Sequence, residues 1–331
     1  LPDQAVRRYA ADWRWRALLA LGILGLLGFL HGTWRAVGRD PELGSIVPRN
    51  SAPDGLSPAA TRFVDQMGFD QTAFVAALLS LRVKAAVDLD VDEDGESLRL
   101  SRRRNTTATL SPGELAVIET LFADADEIEL GPGDERAARA AEALEKKLGE
   151  EHRDRLFVTN ARQRTLGIVL GLLVAATALV ALVVQARDDL SPDPWAVGLA
   201  IAALLAGVFA PLIYFELFKR PTRAGVPAKR QIAGLKRYMQ ESEEPVRQAR
   251  HFIELLPYAI AVDCEECWRQ RFVGADDAEV DREVAEILDW YRTLQQQAGS
   301  AAAIVPIIAG AAGASAATGA TGAAGASAGG V

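Results

Sequence analysis

Two uncharged stretches decide the fold: TLGIVLGLLVAATALVALVVQA at residues 165–186 and PWAVGLAIAALLAGVFAPLIYF at residues 194–215. Each contains 22 residues without a charged side chain, and a helix needs about 20 residues to cross the hydrocarbon core of a bilayer. The segment that joins them, residues 187–193, is too short to form a domain. The sequence therefore predicts a hairpin of two transmembrane helices, at residues 165–186 and 194–218.

A third uncharged stretch, residues 17–34, predicts a further transmembrane helix near the N-terminus. Basic residues followed by an apolar run are also typical of a secretory signal peptide. The span is favoured because tryptophans bracket the stretch, as interfacial aromatic residues do, at Trp13, Trp15 and Trp34. The chain begins at Leu1 rather than at Met, so we expect further sequence upstream.

The orientation follows from the lysines and arginines near the ends of the spans, since positive charge is retained in the cytoplasm during insertion. Twelve such residues lie on the side of residues 35–164 and 219–297, and five lie on the other side. We therefore expect a bacterial inner-membrane protein whose middle and C-terminal regions are cytoplasmic. Residues 1–16 and the loop 187–193 would then lie outside. Four N-terminal arginines oppose this orientation, but a large translocated domain upstream would outweigh them.

Small residues recur within the spans at the spacing that lets membrane helices approach closely. The predicted contact residues are Gly28, Gly32, Gly167, Gly171, Gly198, Ala202, Ala206 and Ala210. The same faces could support oligomerisation. No charged residue lies within the spans, which argues against an ion pathway or proton relay through them.

Residues 35–160 predict a winged-helix-like domain with extra helices, the small α+β part of a mainly α-helical protein. After a turn-rich extended stretch, Ser57 with Pro58 and then Asp70 predict the starts of two helices, the second over residues 71–87. Alternating residues on both sides of the turn EDG then predict a β-hairpin. Ser111 and Glu114 form a predicted capping box that starts a further helix.

A winged helix invites a DNA-binding hypothesis, with Arg102, Arg103 and Arg104 at the end of the wing as phosphate contacts. The charge argues against this interpretation. Residues 36–160 contain 15 Lys and Arg against 24 Asp and Glu, and the whole chain carries a net charge of −8. Because phosphate contacts dominate DNA affinity, we expect a protein partner rather than a nucleic acid.

The C-terminal region begins with basic residues close to the third span, which could contact anionic headgroups or act only as topology determinants. They are Lys219, Arg220, Arg223, Lys229 and Arg230. Residues 219–297 predict a helical domain. Residues 298–331 are Ala, Gly, Ser and Thr with little else, which favours a disordered tail over a fourth span.

Cys264 and Cys267 have the spacing of metal ligands or of a redox pair, but no second such pair or paired histidine accompanies them. Helix packing is the favoured interpretation, so neither a metal nor a cofactor is expected. The sequence has no HExxH, P-loop or GxSxG motif, and His31, His152 and His251 are scattered. We therefore do not expect an enzyme.

Several motifs in order resemble the bacterial YciQ-like family of predicted membrane proteins of unknown function. They are GRDPELGSIVP at 38–48, APDGLSPAATRFVDQMGFDQTAFVAALLSLRVKAAVDLD at 52–90, SPGELAVIETLF at 111–122, GLKRYMQ at 234–240, LLPYAIAV at 255–262 and WRQRF at 268–272. The resemblance extends from about Trp15 to Phe272. It implies an extracytoplasmic β-rich domain before the first span and a Gly-rich tail, whereas this tail is Ala-rich. It supplies no catalytic residues.

These observations favour a membrane-anchored scaffold or sensor whose cytoplasmic domains bind protein partners. An accessory subunit of a transport or envelope complex is the alternative. A membrane-bound DNA regulator and an unrecognised enzyme are lesser alternatives.

Overall fold

The computed structural model describes residues 13–38, 41, 43–91, 98–130, 135–186, 194–241, 246 and 248–271. The chain divides into two units. The span unit comprises the described residues up to 41 together with 157–221, and the α/β unit comprises those from 43 to 156 together with those from 222 onward. The end of the predicted helical domain, residues 272–297, the tail 298–331 and the loop 187–193 lie outside the described residues.

The elements follow one another as helices interspersed with short strands. In chain order they are α1 (Trp13–Thr33), a π-helical turn (Trp34–Gly38), α2 (Pro58–Asp65), α3 (Gln71–Val83), β1 (Val87–Val91), β2 (Leu98–Arg102), α4 (Pro112–Leu121), β3 (Glu127–Leu130), α5 (Glu135–His152), β4 (Phe157–Val158), α6 (Ala161–Ala186), α7 (Pro194–Leu217), β5 (Arg220–Pro221), α8 (Gly225–Glu241), α9 (Ala249–Ala261) and α10 (Glu265–Gln270).

The span unit consists of α1, α6 and α7, with β4 and β5 paired antiparallel beside them. Each of the three helices is long and apolar enough to cross a membrane. Their contacts are made largely by leucine and alanine side chains, in two clusters of buried residues centred on Leu19 and Leu30. Most other large apolar side chains of these helices are exposed, as lipid contact requires. The three predicted spans are therefore confirmed as helices of membrane-crossing length.

The helix starts of the α/β unit agree with the capping residues that the sequence indicates. Ser57 Oγ accepts a hydrogen bond from Ala60 N, and Asp70 Oδ1 accepts one from Ala73 N. The capping box of Ser111 and Glu114 is complete. The second helix ends at Val83 rather than at residue 87, because Ala85 has a left-handed φ of 51° that ends the helix before β1.

The sheet of the α/β unit has three antiparallel strands in the order β1-β2-β3. The hairpin of β1 and β2 is present, with Leu89 opposite Leu100, and Leu100 is in turn opposite Ile128 of β3. The strand β3 was not predicted and follows the intervening helix α4. The helix, helix, hairpin order of the sequence prediction is therefore found, with a third strand added from beyond α4.

One core fills the α/β unit, although its residues come from both sides of the span hairpin. The helix α9 packs against α2 and α3. The largest fully buried side chains include Phe63 and Phe74 from before the hairpin and Phe252 and Trp268 from after it. Residues 43–156 and the described residues from 222 onward, which fall in two separately predicted domains, thus contribute to a single unit.

Candidate functional site

A contact between two distant segments is the most specific feature of the α/β unit. The extended segment Leu43–Asp54, which we call the strap, follows α1 in the chain and lies along α8, which follows α7. Arg230 Nε donates a hydrogen bond to the Leu43 carbonyl oxygen at 2.7 Å, and Arg237 Nη1 donates one to that of Ile46 at 3.1 Å. The guanidinium groups thus satisfy carbonyl oxygens that an extended chain cannot pair by itself.

The backbone of the strap also meets the backbone of α8. Arg49 N donates to the Gly234 carbonyl oxygen at 3.0 Å. A Cβ atom added at Gly234 would lie 2.5 Å from the Val47 carbonyl oxygen, so only glycine allows this approach. Residues 230, 231, 234 and 237 lie on one face of α8, and each of them contacts the strap.

The far end of the strap is held by an amide side chain. Gln231 Nε2 donates to Asp54 Oδ2 at 2.8 Å, while Asp54 N donates to Gln231 Oε1 at 2.8 Å. Arg49 pairs with the same carboxylate, and its hydrogen bond holds the pKa of Asp54 below its usual value. We refer to the contacts of Arg230, Gln231, Gly234 and Arg237 with the strap as the clasp.

A second tie lies within the span unit, where the three spans end. Asn160 Nδ2 donates hydrogen bonds to the carbonyl oxygens of Phe218, at 2.7 Å, and Val37, at 3.2 Å. Phe218 directly follows α7, Val37 belongs to the π-helical turn after α1, and Asn160 directly precedes α6. One side chain therefore connects the ends of all three spans. Its backbone has a φ of 47°, which asparagine tolerates better than most residues.

A buried polar cluster joins α3 to α4 in the α/β unit. Glu114, which is 1% exposed, accepts hydrogen bonds from Ser80 Oγ at 2.5 Å, Lys84 Nζ at 2.7 Å and Ser111 N at 2.6 Å. Ser80 donates its proton towards the carboxylate, so its hydroxyl is not activated as a nucleophile by Lys84. The cluster connects α3 to α4 through one buried carboxylate.

A second buried charge, Arg62, joins α2 to the end of α9. Its guanidinium donates to Asp70 at 2.8 Å and to Asp263 at 2.6 Å. Nearby, Tyr258 donates to the Leu56 carbonyl oxygen at 2.9 Å, and burial, with the negative charge of Glu114, raises the pKa of this tyrosine to about 12. Both contacts connect the parts of the α/β unit that flank the span hairpin.

The predicted helix-packing residues divide into two groups in the structure. Gly167 lies against Leu30, and a Cβ atom at Gly171 would overlap the Gly207 carbonyl oxygen. By contrast, a Cβ atom at Gly28, Gly32 or Gly198 would meet nothing within 4 Å. The buried face of α7 is Ala196, Ala200, Ala203, Gly207 and Ala210, whereas Ala202 is exposed and Ala206 is half-buried.

The predicted face of α7 therefore differs from the observed one, except at Ala210. Strict steps of four residues turn a helix by about 400°, so the residues drift around it by about 40° at each step. The observed contact face instead alternates steps of four and three residues, which keeps the residues on one side.

Cys264 and Cys267 have different environments. Cys264 is buried directly before α10, whereas Cys267 is exposed. Burial, with the neighbouring Cys267, raises the pKa of the Cys264 thiol to about 11, so it stays protonated at neutral pH. Within the described ranges, no group of three or more His, Cys, Asp or Glu residues could hold a metal ion.

The predicted basic residues near the third span are only partly available to a ligand. Lys229 Nζ contacts Asp65 at 3.1 Å, and Arg230 belongs to the clasp. Arg223 is exposed, while Arg220 is half-buried in β5 and Lys219 is half-buried. Only part of the basic stretch is thus free of structural contacts.

Two of the three predicted wing arginines are bound by carboxylates. Arg103 pairs with Asp88, and Arg104 pairs with Asp126 at 2.5 Å. These contacts offset the positive charge of two of the three side chains on which the DNA-binding hypothesis depends.

No sequence pattern indicates a role for Asn160, Gln231, Gly234 or Arg237. Their partners lie between 58 and 191 residues away in the chain, so no local spacing indicates them. In the sequence, the four residues of α8 appear only as a polar helix face. Such a face looks the same as a solvent-exposed one unless the position of the strap is known.

A comparison with family models matches residues 48–272, which are more than half of the 331 residues, to the family described as predicted membrane protein (DUF2207) C-terminal domain. The matched range includes the strap from Pro48, both units' central elements and α10. Comparisons with curated proteins and with solved structures gave no match. The chain thus belongs to this family of predicted membrane proteins, in agreement with its resemblance to the YciQ-like proteins.

Proposed function

We propose that this protein is a membrane-anchored scaffold or sensor of the bacterial inner membrane, whose α/β unit binds protein partners in the cytoplasm. The spans act as anchors. Residues 17–34, 165–186 and 194–215 contain no charged side chain that could carry an ion or a proton across the membrane. The proposal assigns no catalytic reaction to the chain.

The clasp is the observation that carries the proposal. The strap continues the chain from α1, and α8 continues it from α7, so the clasp connects the segments that leave two different spans. A displacement of the strap would be passed to α8 through three side chains of that helix and one backbone hydrogen bond. A sensor needs such a connection between its membrane segments and its partner-binding surface.

A protein partner suits the charge of the α/β unit better than a nucleic acid does. The part predicted to be winged-helix-like, α2 to β2, is net acidic, and Arg103 and Arg104, which follow its hairpin, are paired with aspartates. Acidic surfaces repel a phosphate backbone and suit partners with basic surfaces.

The test is site-specific photo-crosslinking of the full chain in native membranes. Probes at the exposed residues Glu142 of α5 and Glu119 of α4 should capture the same protein partner. The variant Arg230→Ala/Arg237→Ala, which opens the clasp, should change the captured pattern, and the control Arg250→Ala, on α9, should not. Absence of any partner would overturn the scaffold, and an unchanged pattern in the open-clasp variant would overturn the transmission through the strap.

The alternative, an accessory subunit of a transport or envelope complex, is favoured by the open face of α1. Gly28 and Gly32 leave space for close approach of another membrane helix. Probes placed in this face, at Leu21 and Leu24, would then capture a second membrane protein while those in the α/β unit capture none.

A further inference from the structure

Two exposed arginines are brought together where the α/β unit connects to the spans. The pairing of β4 with β5 continues beyond the strands, because Thr222 N donates to the Leu156 carbonyl oxygen at 2.9 Å. Thr222 Oγ1 also donates to the Arg155 carbonyl oxygen at 2.5 Å. Arg155 and Arg223 are the next residues outward on the two segments.

The backbone around these arginines is firmly placed. The Thr222 hydroxyl accepts a hydrogen bond from Gly225 N at 3.1 Å, and Gly225 N also donates to the Thr222 carbonyl oxygen at 3.0 Å. A Cβ atom at Gly225 would overlap the Leu156 carbonyl oxygen, so the start of α8 lies directly on the segment that carries Arg155. The backbone positions of Arg155 and Arg223 on the two paired segments are therefore held before any ligand binds.

The surroundings leave this positive charge uncompensated. Both arginines are exposed, and neither makes an ion pair with any carboxylate that the structure describes. The first turn of α8, which follows Arg223, contains no acidic residue, and the N-terminal end of a helix dipole favours an anion. Two neighbouring like charges repel each other, so the arrangement gains stability from a bound anion.

The connection to the spans places the arginines close to the bilayer surface. Arg223 is six residues beyond Leu217, the end of α7, and Arg155 is six residues before Ala161, the start of α6. Six residues extend over at most about 20 Å, and the paired strands shorten that path. The anion within reach at this location is the phosphate of a lipid headgroup.

We propose that Arg155 and Arg223 form a binding site for the phosphate group of an anionic membrane lipid. Arg155 was not among the basic residues predicted from the sequence, and Lys229 and Arg230, which were, do not take part because they bind Asp65 and the strap.

The test is the binding of phosphatidylglycerol to the purified full chain in detergent, measured by native mass spectrometry, with phosphatidylcholine as the neutral comparison. The variant Arg155→Gln/Arg223→Gln should bind phosphatidylglycerol about thirtyfold more weakly, since each arginine near a membrane surface contributes about fivefold. The charge-retaining variant Arg155→Lys/Arg223→Lys should lose much less. The matched control Arg139→Gln/Arg250→Gln removes the same charge from α5 and α9 and should bind as the unaltered chain does.

Equal weakening in the control and in the Arg155→Gln/Arg223→Gln variant would overturn the site, because the effect would then follow net charge alone. Equal affinity for the two lipids would also overturn it. Competition by millimolar inorganic phosphate distinguishes the sources of the anion. Displacement of phosphatidylglycerol by phosphate to completion would assign the pair to a soluble anion and overturn the lipid site, whereas retention supports it.

Discussion

Glu114 shows how one buried carboxylate connects local and long-range structure. It completes the capping box of α4 and also accepts hydrogen bonds from Ser80 and Lys84 of the preceding helix. The capping box could be predicted from the spacing of Ser111 and Glu114 alone. The contacts with Ser80 and Lys84 could not, because they depend on how α3 packs on α4.

We expect the substitution Glu114→Gln to lower the free energy of unfolding by about 2–3 kcal/mol. The glutamine side chain carries no charge to offset the Lys84 ammonium. Its NH2 group would also face Ser80 and Ser111 N, which are themselves donors, so hydrogen bonds would be lost. Glu119→Gln on the exposed face of the same helix should change it by less than about 0.5 kcal/mol. Denaturant unfolding of the detergent-solubilised chain measures both, and equal effects would contradict the role of Glu114.

His152 makes stability depend on pH. Burial, with the positive charge of Arg155, lowers the pKa of His152 from 6.5 to about 4, and its Nδ1 atom is buried without a hydrogen-bond partner. Below pH 6.5 the unfolded chain binds a proton that the folded chain does not. The stability from the neutral imidazole is thus present above pH 6.5 and is lost as the pH falls towards 4, by an amount of about 3 kcal/mol.

The measurement is denaturant unfolding at pH 7 and at pH 4.5, for the unaltered chain and for His152→Gln. We expect a smaller loss of stability in the variant over this interval. His251→Gln is the comparison, since half-burial also lowers the pKa of His251 but its ring is less enclosed. An identical pH dependence with and without His152 would contradict the assignment.

At the scale of elements, the packing of α6 on α7 depends on the close approach of Gly171 and Gly207. We expect Gly171→Ala to lower the melting temperature in detergent by several degrees, because the new methyl group would overlap the Gly207 carbonyl oxygen and crowd Pro211. Gly198→Ala, on the open side of α7, should leave the melting temperature unchanged or raise it slightly. A larger loss at Gly198 would contradict this assignment of the contact face.

Substitutions of Asn160, which connects the ends of the three spans, should differ in their effect on stability. Asn160→Gly keeps the left-handed backbone and removes two hydrogen bonds, at a cost of about 1–2 kcal/mol. Asn160→Ala removes the same bonds and adds the cost of a left-handed alanine, about 1 kcal/mol. Thermal unfolding should therefore rank the unaltered chain above the glycine variant and the glycine variant above the alanine variant. A glycine variant at least as stable as the unaltered chain would contradict the role of the amide and show that the backbone determines the effect.

Sequence patterns predicted the existence of elements better than the faces that they bury. The spans could be predicted because uncharged stretches of 18 and 22 residues are long enough to cross a bilayer and are uncommon in soluble domains. The starts of α2, α3 and α4 follow from local caps. The contact face of α7 could not, since several faces of the helix are rich in small residues. The strand β3 was missed because EIEL is short and its partner β2 lies beyond a helix.

At the scale of the whole molecule, the division into domains was the hardest feature to predict. Residues 43–156 and those from 222 onward each have helices with apolar faces, so each could be taken for a domain. Contacts such as Arg62 with Asp263 and Tyr258 with Leu56 unite them, and such pairs have no signature in a single sequence.

The proposed topology makes a prediction at this scale. Reporter fusions within residues 187–193 and after residue 271 should report opposite sides of the membrane, because α7 separates them. Thiol labelling of single cysteines at the same positions in intact and opened cells provides the control. Reports from the same side would contradict the hairpin.

The clasp also has a consequence for the order of events during synthesis. The strap emerges from the ribosome about 180 residues before α8, an interval of roughly 10–40 s at about 5–20 residues per second. During that time its carbonyl groups and the apolar faces of α2 and α3 await partners that are made only after the hairpin has entered the bilayer. The α/β unit can therefore be completed only after both helices of the hairpin have been synthesised, and until then the strap lacks the partners that satisfy its carbonyl groups.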